Sequence, residues 1–247
     1  MREQKRFTKS GNNLNERYIM SSSVRLRETH SEIGGGRTIF NEEALQHEKN
    51  LQHSVLKIKS ELESLYPELK FTYQKKLHLS EIAKKLGKTS WKPASKDPYV
   101  DPDGGLLFLE WNGVRYPILI SEAKKQGTND ERYKEGKKKQ GRGNGIERAF
   151  KNALAFSQYN EKLDYNPYVI FACGCDFDTD SSIIDRLWGL TRYEPMNTNL
   201  SLFNEDMTSV YLKGHHYTEE PNFWTVSEIY EIMKEIAVTI TNHVTGK

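Results

Sequence analysis

The chain has 247 residues, of which 36% are hydrophobic, so it is long enough to bury one sizeable core, and a single domain is the simplest organisation. Its 36 Lys and Arg residues face 34 Asp and Glu residues, for a formal net charge of +2. This balance excludes a histone-like polybasic protein, so any nucleic-acid site must come from local clustering of charge. Cys173 and Cys175 are too close for an unstrained disulfide. No apolar run suggests a signal peptide or a membrane span, and we expect a cytoplasmic protein with free thiols and no membrane partner.

The N-terminal region differs in composition from the rest of the chain. Residues 1–36 are polar and charged and contain runs of serine and glycine, which predicts a flexible basic arm. Residues 37–247 are expected to form the single folded domain. A helix is predicted from about 41 to 65, because Leu51, Val55 and Leu62 recur at helical spacing.

Residues 71–73 are expected to form a short strand, and Ser80 is a candidate N-cap for a helix that Gly87 ends. A hairpin follows. Asn112-Gly113 separates two apolar runs, which is a strong signal for two antiparallel strands joined by a tight turn.

The hairpin brings three polar residues of particular interest together. Asp103, in Pro-Asp-Gly-Gly, precedes the first strand, and Glu122 and Lys124 follow the apolar part of the second. Alternate residues of a strand share a face, so Glu122 and Lys124 point the same way and Ala123 points away. Carboxylates suit Mg²⁺, and a neighbouring lysine can hold an anion or help to deprotonate water. This is the Asp…Glu-x-Lys arrangement of metal-dependent phosphodiester hydrolysis, although an ordinary turn and an edge Glu-x-Lys pair would look the same.

The second half of the chain begins with a basic segment, 127–142, that has no apolar periodicity. It is either a solvated loop or a segment that orders on an anionic partner. The elements predicted after it are a helix at 149–159, a buried central strand at 168–173, a short helix at 183–190, a strand at 209–213 and an amphipathic helix at 226–244.

Residues 141–148, Gly-Arg-Gly-Asn-Gly-Ile-Glu-Arg, resemble the recognition segment of the EcoRI family of type II restriction endonucleases, which are PD-(D/E)xK nucleases. Five further motifs resemble the family in the same order, and the resemblance extends from about Ser31 to the C-terminal helix. These motifs lie at 66–71, 102–105, 121–127, 167–171 and 195–200.

The resemblance implies an α/β fold: a five-stranded mixed β-sheet flanked by α-helices, with DNA-binding arms and a recognition segment at 127–152. It implies a bacterial homodimer that uses Mg²⁺ to cut both strands of double-stranded DNA at a short palindrome with central AATT, leaving 5′-phosphomonoester ends. A cognate DNA methyltransferase of the same restriction-modification system would be a functional partner rather than a physical one.

The resemblance also assigns roles at the hairpin. Asp103, Glu122 and Lys124 match the family's catalytic residues. Asp103 and Glu122, with the main-chain carbonyl of Ala123, are the expected metal ligands.

In the recognition segment, base reading is carried over to Asn144, Gly145, Glu147 and Arg148. The chemistry agrees, because Asn can pair bidentately with adenine and Glu can accept from an exocyclic amine. Lys151 and Asn152, one turn further on, match the family's Lys-Asn and are expected to contact phosphates.

Two departures from the family pattern leave the outer base pair open. Gln140, Gly141 and Arg142 stand where the EcoRI pattern has apolar residues, and the Gly-Arg-Gly-Asn run at 141–144 resembles the MunI branch of the family more. Arg186 matches the first of two family arginines, but Gly189 stands at the second. Both GAATTC and CAATTG therefore remain possible targets. A non-specific PD-(D/E)xK repair nuclease and a catalytically inactive DNA-binding module are the alternative functions.

Overall fold

The structure is a computed structural model. It describes residues 36–88, 90, 92–93, 96–125, 133–137, 145–178, 193–195, 208–216, 218–220 and 222–247, without the side chains of 36–47, 145–151, 176, 193–195 and 208. The chain divides into two compact units, Met1–Gln46 and His47–Lys247. In the first unit only the helical backbone of 36–46 is described, so the predicted N-terminal arm lies outside the described residues apart from Gly36.

The described chain contains four α-helices and eight strands. The helices are α1 (Gly36–Leu65), α2 (Leu79–Lys85), α3 (Gly145–Tyr159) and α4 (Val226–Thr245). The strands are β1 (Lys70–Gln74), β2 (Leu77–His78), β3 (Tyr99–Val100), β4 (Gly105–Trp111), β5 (Val114–Lys125), β6 (Tyr168–Gly174), β7 (Tyr193–Pro195) and β8 (Thr208–Gly214). A 3₁₀ turn, Cys175–Phe177, follows β6.

The main sheet has the strand order β1-β4-β5-β6-β8-β7, and β2 pairs separately with β3. Strands β1, β4 and β5 are antiparallel, whereas β5, β6, β8 and β7 are parallel. The predicted five-stranded mixed sheet with flanking helices is confirmed by β1, β4, β5, β6 and β8. The three-residue strand β7 extends this sheet at the β8 edge.

The β4–β5 hairpin forms as the sequence predicts. Asn112 and Gly113 have φ angles of 50° and 74°, the left-handed conformations that a type I′ turn requires at both central positions. The pairing then shifts by one residue, because Leu107 pairs with Leu119 but Phe108 pairs with Pro117. This β-bulge re-aims the side chains that follow it.

Two apolar clusters cover opposite faces of the sheet, as the alternation of neighbouring β4 residues between them shows. On one face, α1 and α4 pack on strand residues such as Leu107 and Phe171. On the other face, α2 and α3 pack on strand residues such as Leu106 and Ile120. Beyond the bulge, Glu122 and Lys124 lie on the Ile120 face, beside α3.

One predicted helix start is wrong. The N-cap of α2 is His78 rather than Ser80. Glu81 accepts a hydrogen bond from the His78 main-chain N–H at 3.3 Å, and the Ser80 hydroxyl hydrogen-bonds Asp97 instead. A carboxylate three residues into the helix therefore reaches back to the cap residue.

Across the described ranges, no helix combines the length and the apolar character needed to cross a membrane.

Candidate active site

The Pro-Asp-Gly-Gly turn holds Asp103 at the start of β4. The Gly105 N–H donates to the Pro102 carbonyl at 2.9 Å, and the Gly104 N–H donates to the Ser121 carbonyl at 2.9 Å. Gly105 has a φ of +78°, and a Cβ there would come within 2.5–2.8 Å of the Tyr73 phenol. A Cβ at Gly104 would collide with the Ser121 hydroxyl. The glycines thus let the turn lie directly against β5 and β1.

The structure brings the three predicted catalytic residues together. The Asp103 N–H donates to Glu122 Oε2 at 3.2 Å, and Lys124 Nζ lies 3.5 Å from Asp103 Oδ2. Lys124 Nζ also donates to Glu122 Oε1. Glu122 is only 2% exposed, whereas the side chains of Asp103 and Lys124 are each 19% exposed. The cluster therefore has a buried base and a partly open outer side.

The main chain of Ala123 also faces this cluster. Its N–H donates to Asp103 Oδ2 at 2.9 Å. The N–H and C=O of one strand residue point toward the same neighbouring strand, so the Ala123 carbonyl points to the same side as its N–H. The Ser121 carbonyl, two residues earlier, also points toward β4, since it accepts from Gly104.

The electrostatics of the cluster are dominated by burial. Burial raises the pKa of Glu122. The positive charge of Lys124 lowers this pKa, and the negative charge of Asp103 raises it further, so the net shift is upward. Burial alone would lower the pKa of Lys124, but Glu122 and Asp103 together raise it above its usual value. Lys124 is therefore an ammonium ion in the DNA-free protein, and it neutralises part of the carboxylate charge.

These groups fit a hard divalent cation. Two carboxylates and a main-chain carbonyl are all oxygen donors, which Mg²⁺ prefers. Within the described part of the chain, no group of three or more His, Cys, Asp or Glu side chains could hold a metal ion. A cation at this cluster would be held by the carboxylates of Asp103 and Glu122 and the Ala123 carbonyl, and it would complete its shell with water and phosphate oxygens.

The structure adds contacts at the site that the sequence analysis did not predict. Asn152 Nδ2 donates to Glu122 Oε1 at 3.2 Å, whereas the sequence predicts a phosphate contact for Asn152. Gln52 Nε2 donates to the Asp103 carbonyl at 3.3 Å. Glu48 lies one helical turn before Gln52, and its pKa is raised by burial and by the Asp103 charge. Helical periodicity places Glu48 and Gln52 one turn apart beside the apolar stripe of α1, but it does not show that they meet Asp103.

Only part of the predicted recognition segment is described. Gly145, Glu147, Arg148 and Lys151 lie on the backbone of α3, which begins at Gly145; the side chains of the last three are outside the described residues. The remaining base-recognition residues lie wholly outside the described residues, namely Gln140, Arg142, Asn144 and Arg186.

The mixed sheet, its flanking helices and the Asp-Glu-Lys cluster at the end of the hairpin define the α/β fold of the restriction endonucleases. Comparison with known sequences narrows this class. The pattern of the family described as "Restriction endonuclease EcoRI" matches residues 33–189. The chain belongs to this family.

Two relatives are similar over long stretches. The type II restriction enzyme EcoRI of Escherichia coli is 29% identical over 262 residues, covering 88% of this chain and 92% of that protein. The type II restriction enzyme RsrI of Cereibacter sphaeroides is 30% identical over 171 residues, covering 63% of this chain and 61% of that protein. The family resemblance inferred from the motifs is thereby confirmed, and the protein is a type II site-specific deoxyribonuclease that acts on double-stranded DNA. A divalent metal requirement accompanies this family assignment.

Proposed function

We propose that the protein makes Mg²⁺-dependent double-strand cuts at a palindrome with central AATT, either GAATTC or CAATTG. The observation that carries this proposal is the cluster of Asp103, Glu122 and Lys124 at the end of the hairpin, contacted by the helix that begins in the recognition segment. The cluster supports the hydrolytic chemistry, and the recognition segment supports the choice of sequence.

The division of labour within the cluster follows from its charges. Asp103 and Glu122, with the Ala123 carbonyl, would hold Mg²⁺ beside the scissile phosphate. When bound, the ion stabilises the charge that grows on the phosphate and the leaving oxygen. Lys124 is a cation before DNA binds, since its pKa is raised. It therefore orients the attacking water or the phosphate as a charged donor, and it must lose a proton before it can act as a base.

Recognition is assigned to the N-terminal part of α3 and the residues before it. Asn144, Glu147 and Arg148 would hydrogen-bond base edges in the major groove, with Gly145 allowing close approach. Each wrong base pair would leave some of these groups unpaired, at about 1–3 kcal/mol per mismatch. Lys151 would contact a phosphate and set the register.

The outer base pair depends on arginine placement, because arginine bidentate to guanine is the commonest specific base contact. Overall similarity and Arg186 favour GAATTC. Arg142 favours CAATTG.

A palindromic target also implies the assembly. Two-fold symmetric DNA is matched by a two-fold symmetric dimer, with one active site for each strand. We therefore propose a homodimer in the bacterial cytoplasm, with a cognate methyltransferase protecting the host's own sites.

The test is a digest of a sequenced plasmid with purified protein and Mg²⁺, followed by run-off sequencing of the ends. Ends confined to GAATTC or CAATTG would support the proposal and identify the outer pair. Random ends would indicate a non-specific nuclease. Specific binding without any cleavage would indicate an inactive DNA-binding module.

A further inference from the structure

The helix that begins in the recognition segment touches a predicted catalytic carboxylate. Asn152, half-buried and two turns into α3, donates from Nδ2 to Glu122 Oε1 at 3.2 Å. The helix packs on the sheet through Phe156, which is fully buried and whose ring centre lies 5.0 Å from that of Tyr168. The distance from Asn152 to Glu122 therefore depends on where α3 sits.

The donors around Glu122 come from two sources. The Asp103 N–H and Lys124 Nζ belong to the β4–β5 hairpin itself. Among the hydrogen bonds of the described residues, Asn152 provides the contact to Glu122 from outside the hairpin. A nearly buried carboxylate takes its orientation from its donors, so a shift of α3 changes the orientation of Glu122.

We propose that Asn152 is a positioning residue that couples base recognition by α3 to the placement of Glu122 for hydrolysis. This inference rests on the proposed function of the same site. When the start of α3 engages the correct base edges, α3 is fixed, and Asn152 holds Glu122 in the orientation that cleavage requires. A wrong base pair displaces α3 and disturbs Glu122, although no base touches that residue.

This role differs measurably from the phosphate contact that the sequence alone predicts for Asn152. Loss of a phosphate contact weakens binding to cognate and non-specific DNA alike, whereas the salt slope stays the same because a neutral amide displaces no counterion. Loss of a positioning contact leaves metal-free binding intact and slows cleavage. Partners that orient metal-ligating residues typically change metal affinity or activity by about 10–100-fold.

The experiment compares Asn152→Ala with Gln158→Ala, which removes an exposed amide from the same helix. Binding to a cognate and to a non-specific oligonucleotide is measured in EDTA. Single-turnover cleavage is measured at saturating protein over a range of Mg²⁺ concentrations. For Asn152→Ala we expect unchanged binding to both oligonucleotides, cleavage slower by about 10–100-fold, and a higher half-saturating Mg²⁺ concentration. Gln158→Ala should match the wild type throughout.

Discrimination provides the second readout. Cleavage and binding are compared between the cognate site and a site with one altered central base pair. In Asn152→Ala the cleavage ratio should fall toward the binding ratio, because the extra selectivity carried by Glu122 is lost. The isosteric Asn152→Asp keeps the shape but removes the donor, so its cleavage should be at least as slow.

Three results would overturn the inference. These are uniformly weaker binding of Asn152→Ala to cognate and non-specific DNA, wild-type cleavage by Asn152→Asp, and a loss of cleavage fully explained by a lower melting temperature. Failure of the wild-type protein to cut at any discrete site would instead refute the proposed function. The two failures are therefore distinguishable.

Discussion

Lys124 and Lys125 are neighbours on β5 with opposite surroundings, and they make a matched pair of substitutions. Lys124 Nζ contacts Glu122 and lies 3.5 Å from Asp103, whereas Lys125 Nζ lies over the Phe223 ring, 4.2 Å from its centre. Lys124→Ala should lower single-turnover cleavage by at least about a hundred- to a thousandfold, as the loss of a group that stabilises transition-state charge does. Lys125→Ala should keep nearly full activity.

Binding in EDTA serves as the control for this pair. Both variants, and Asp103→Ala as well, should retain sequence-specific binding, because recognition is assigned to α3 and the residues before it. Near wild-type cleavage by Lys124→Ala or Asp103→Ala would remove the site assignment altogether.

Tyr168 carries a buried hydroxyl beneath the site. Within the described residues this hydroxyl has no hydrogen-bond partner. Burial first, and then the negative charges of Glu122 and Asp103, raise the pKa of the phenol well above its usual value. A buried unpaired hydroxyl costs about 1–3 kcal/mol, so Tyr168→Phe should leave the free energy of unfolding unchanged or raise it by about 1 kcal/mol. Urea denaturation measures this.

Tyr66→Phe is the contrasting substitution. The Tyr66 hydroxyl donates to Asn242 Oδ1 at 2.7 Å, and its loss should lower the free energy of unfolding by about 1 kcal/mol. If Tyr168→Phe destabilised the protein as much as Tyr66→Phe, the Tyr168 hydroxyl would have a partner after all.

At the scale of elements, alanine substitutions at two glycines near the ends of β4 distinguish the cost of backbone strain from the cost of a steric collision. Gly105 and Gly113 have φ angles of +78° and +74°, but an added Cβ meets the Tyr73 phenol at Gly105 and nothing within 4 Å at Gly113. Gly113→Ala should therefore cost only the left-handed conformation, about 1–2 kcal/mol. Gly105→Ala should cost about 3 kcal/mol or more and should slow cleavage by moving Asp103. Equal losses of stability in the two variants would show that the turn does not press on Tyr73.

The start of α4 makes a pH-dependent contribution to stability. Lys213 donates to Glu228 at 2.7 Å, and the Thr225 N–H donates to it at 2.9 Å. Lys213 first and then Thr225 lower the pKa of Glu228 from 4.5 to about 2. Because the folded-state pKa is depressed, this stabilisation is complete above about pH 4.5 and is lost as the pH falls through about 2.

Glu228→Gln tests this contribution. Glu228 is largely exposed, so screening limits its stabilisation to about 1 kcal/mol. Urea denaturation at several pH values should show Glu228→Gln less stable than the wild type by that amount near neutrality. The difference should shrink below about pH 4.5, and Glu231→Gln, an exposed neutralisation on the same helix, should show no such difference. A gap between wild type and Glu228→Gln that persisted at the lowest pH would exclude the charge as its cause.

The elements best predicted by the sequence are those that local rules specify. Asn112-Gly113 requires a tight turn, and the alternation of a strand puts Glu122 and Lys124 on one face; the structure agrees with both. The bulge opposite Leu107 and Phe108 does carry a local signal, because Pro117 stands in β5 at that point and prolines inside a sheet occur at edges and bulges. The contacts of Gln52 and Asn152 join residues far apart in the chain, so periodicity could place them on helices but not against the site.

At the scale of the whole molecule, the site lies on the strand where the sheet changes from antiparallel to parallel pairing. Strand β5 is antiparallel to β4 and parallel to β6, and Glu122 and Lys124 stand near its carboxyl end. Ligands of open α/β sheets bind outside the carboxyl ends of strands, where the connections diverge. Here α1 reaches the cluster from one face through Gln52, and α3 reaches it from the other face through Asn152. Each helical layer therefore contacts a different residue of the cluster, α1 the main-chain carbonyl of Asp103 and α3 the carboxylate of Glu122.

A metal bound at this cluster should stabilise the folded protein, because the cluster exists only in the folded state. A ligand that binds the folded state alone raises the free energy of unfolding, by about 2.7 kcal/mol at a hundredfold excess over its dissociation constant. Millimolar Mg²⁺ should therefore raise the melting temperature of the wild type, and EDTA should reverse the shift. Glu122→Gln keeps the shape of the side chain but lacks its charge, so its melting temperature should not respond to Mg²⁺. Matched ionic strength in NaCl controls for screening, and an equal Mg²⁺ shift in both proteins would place the cation away from Glu122.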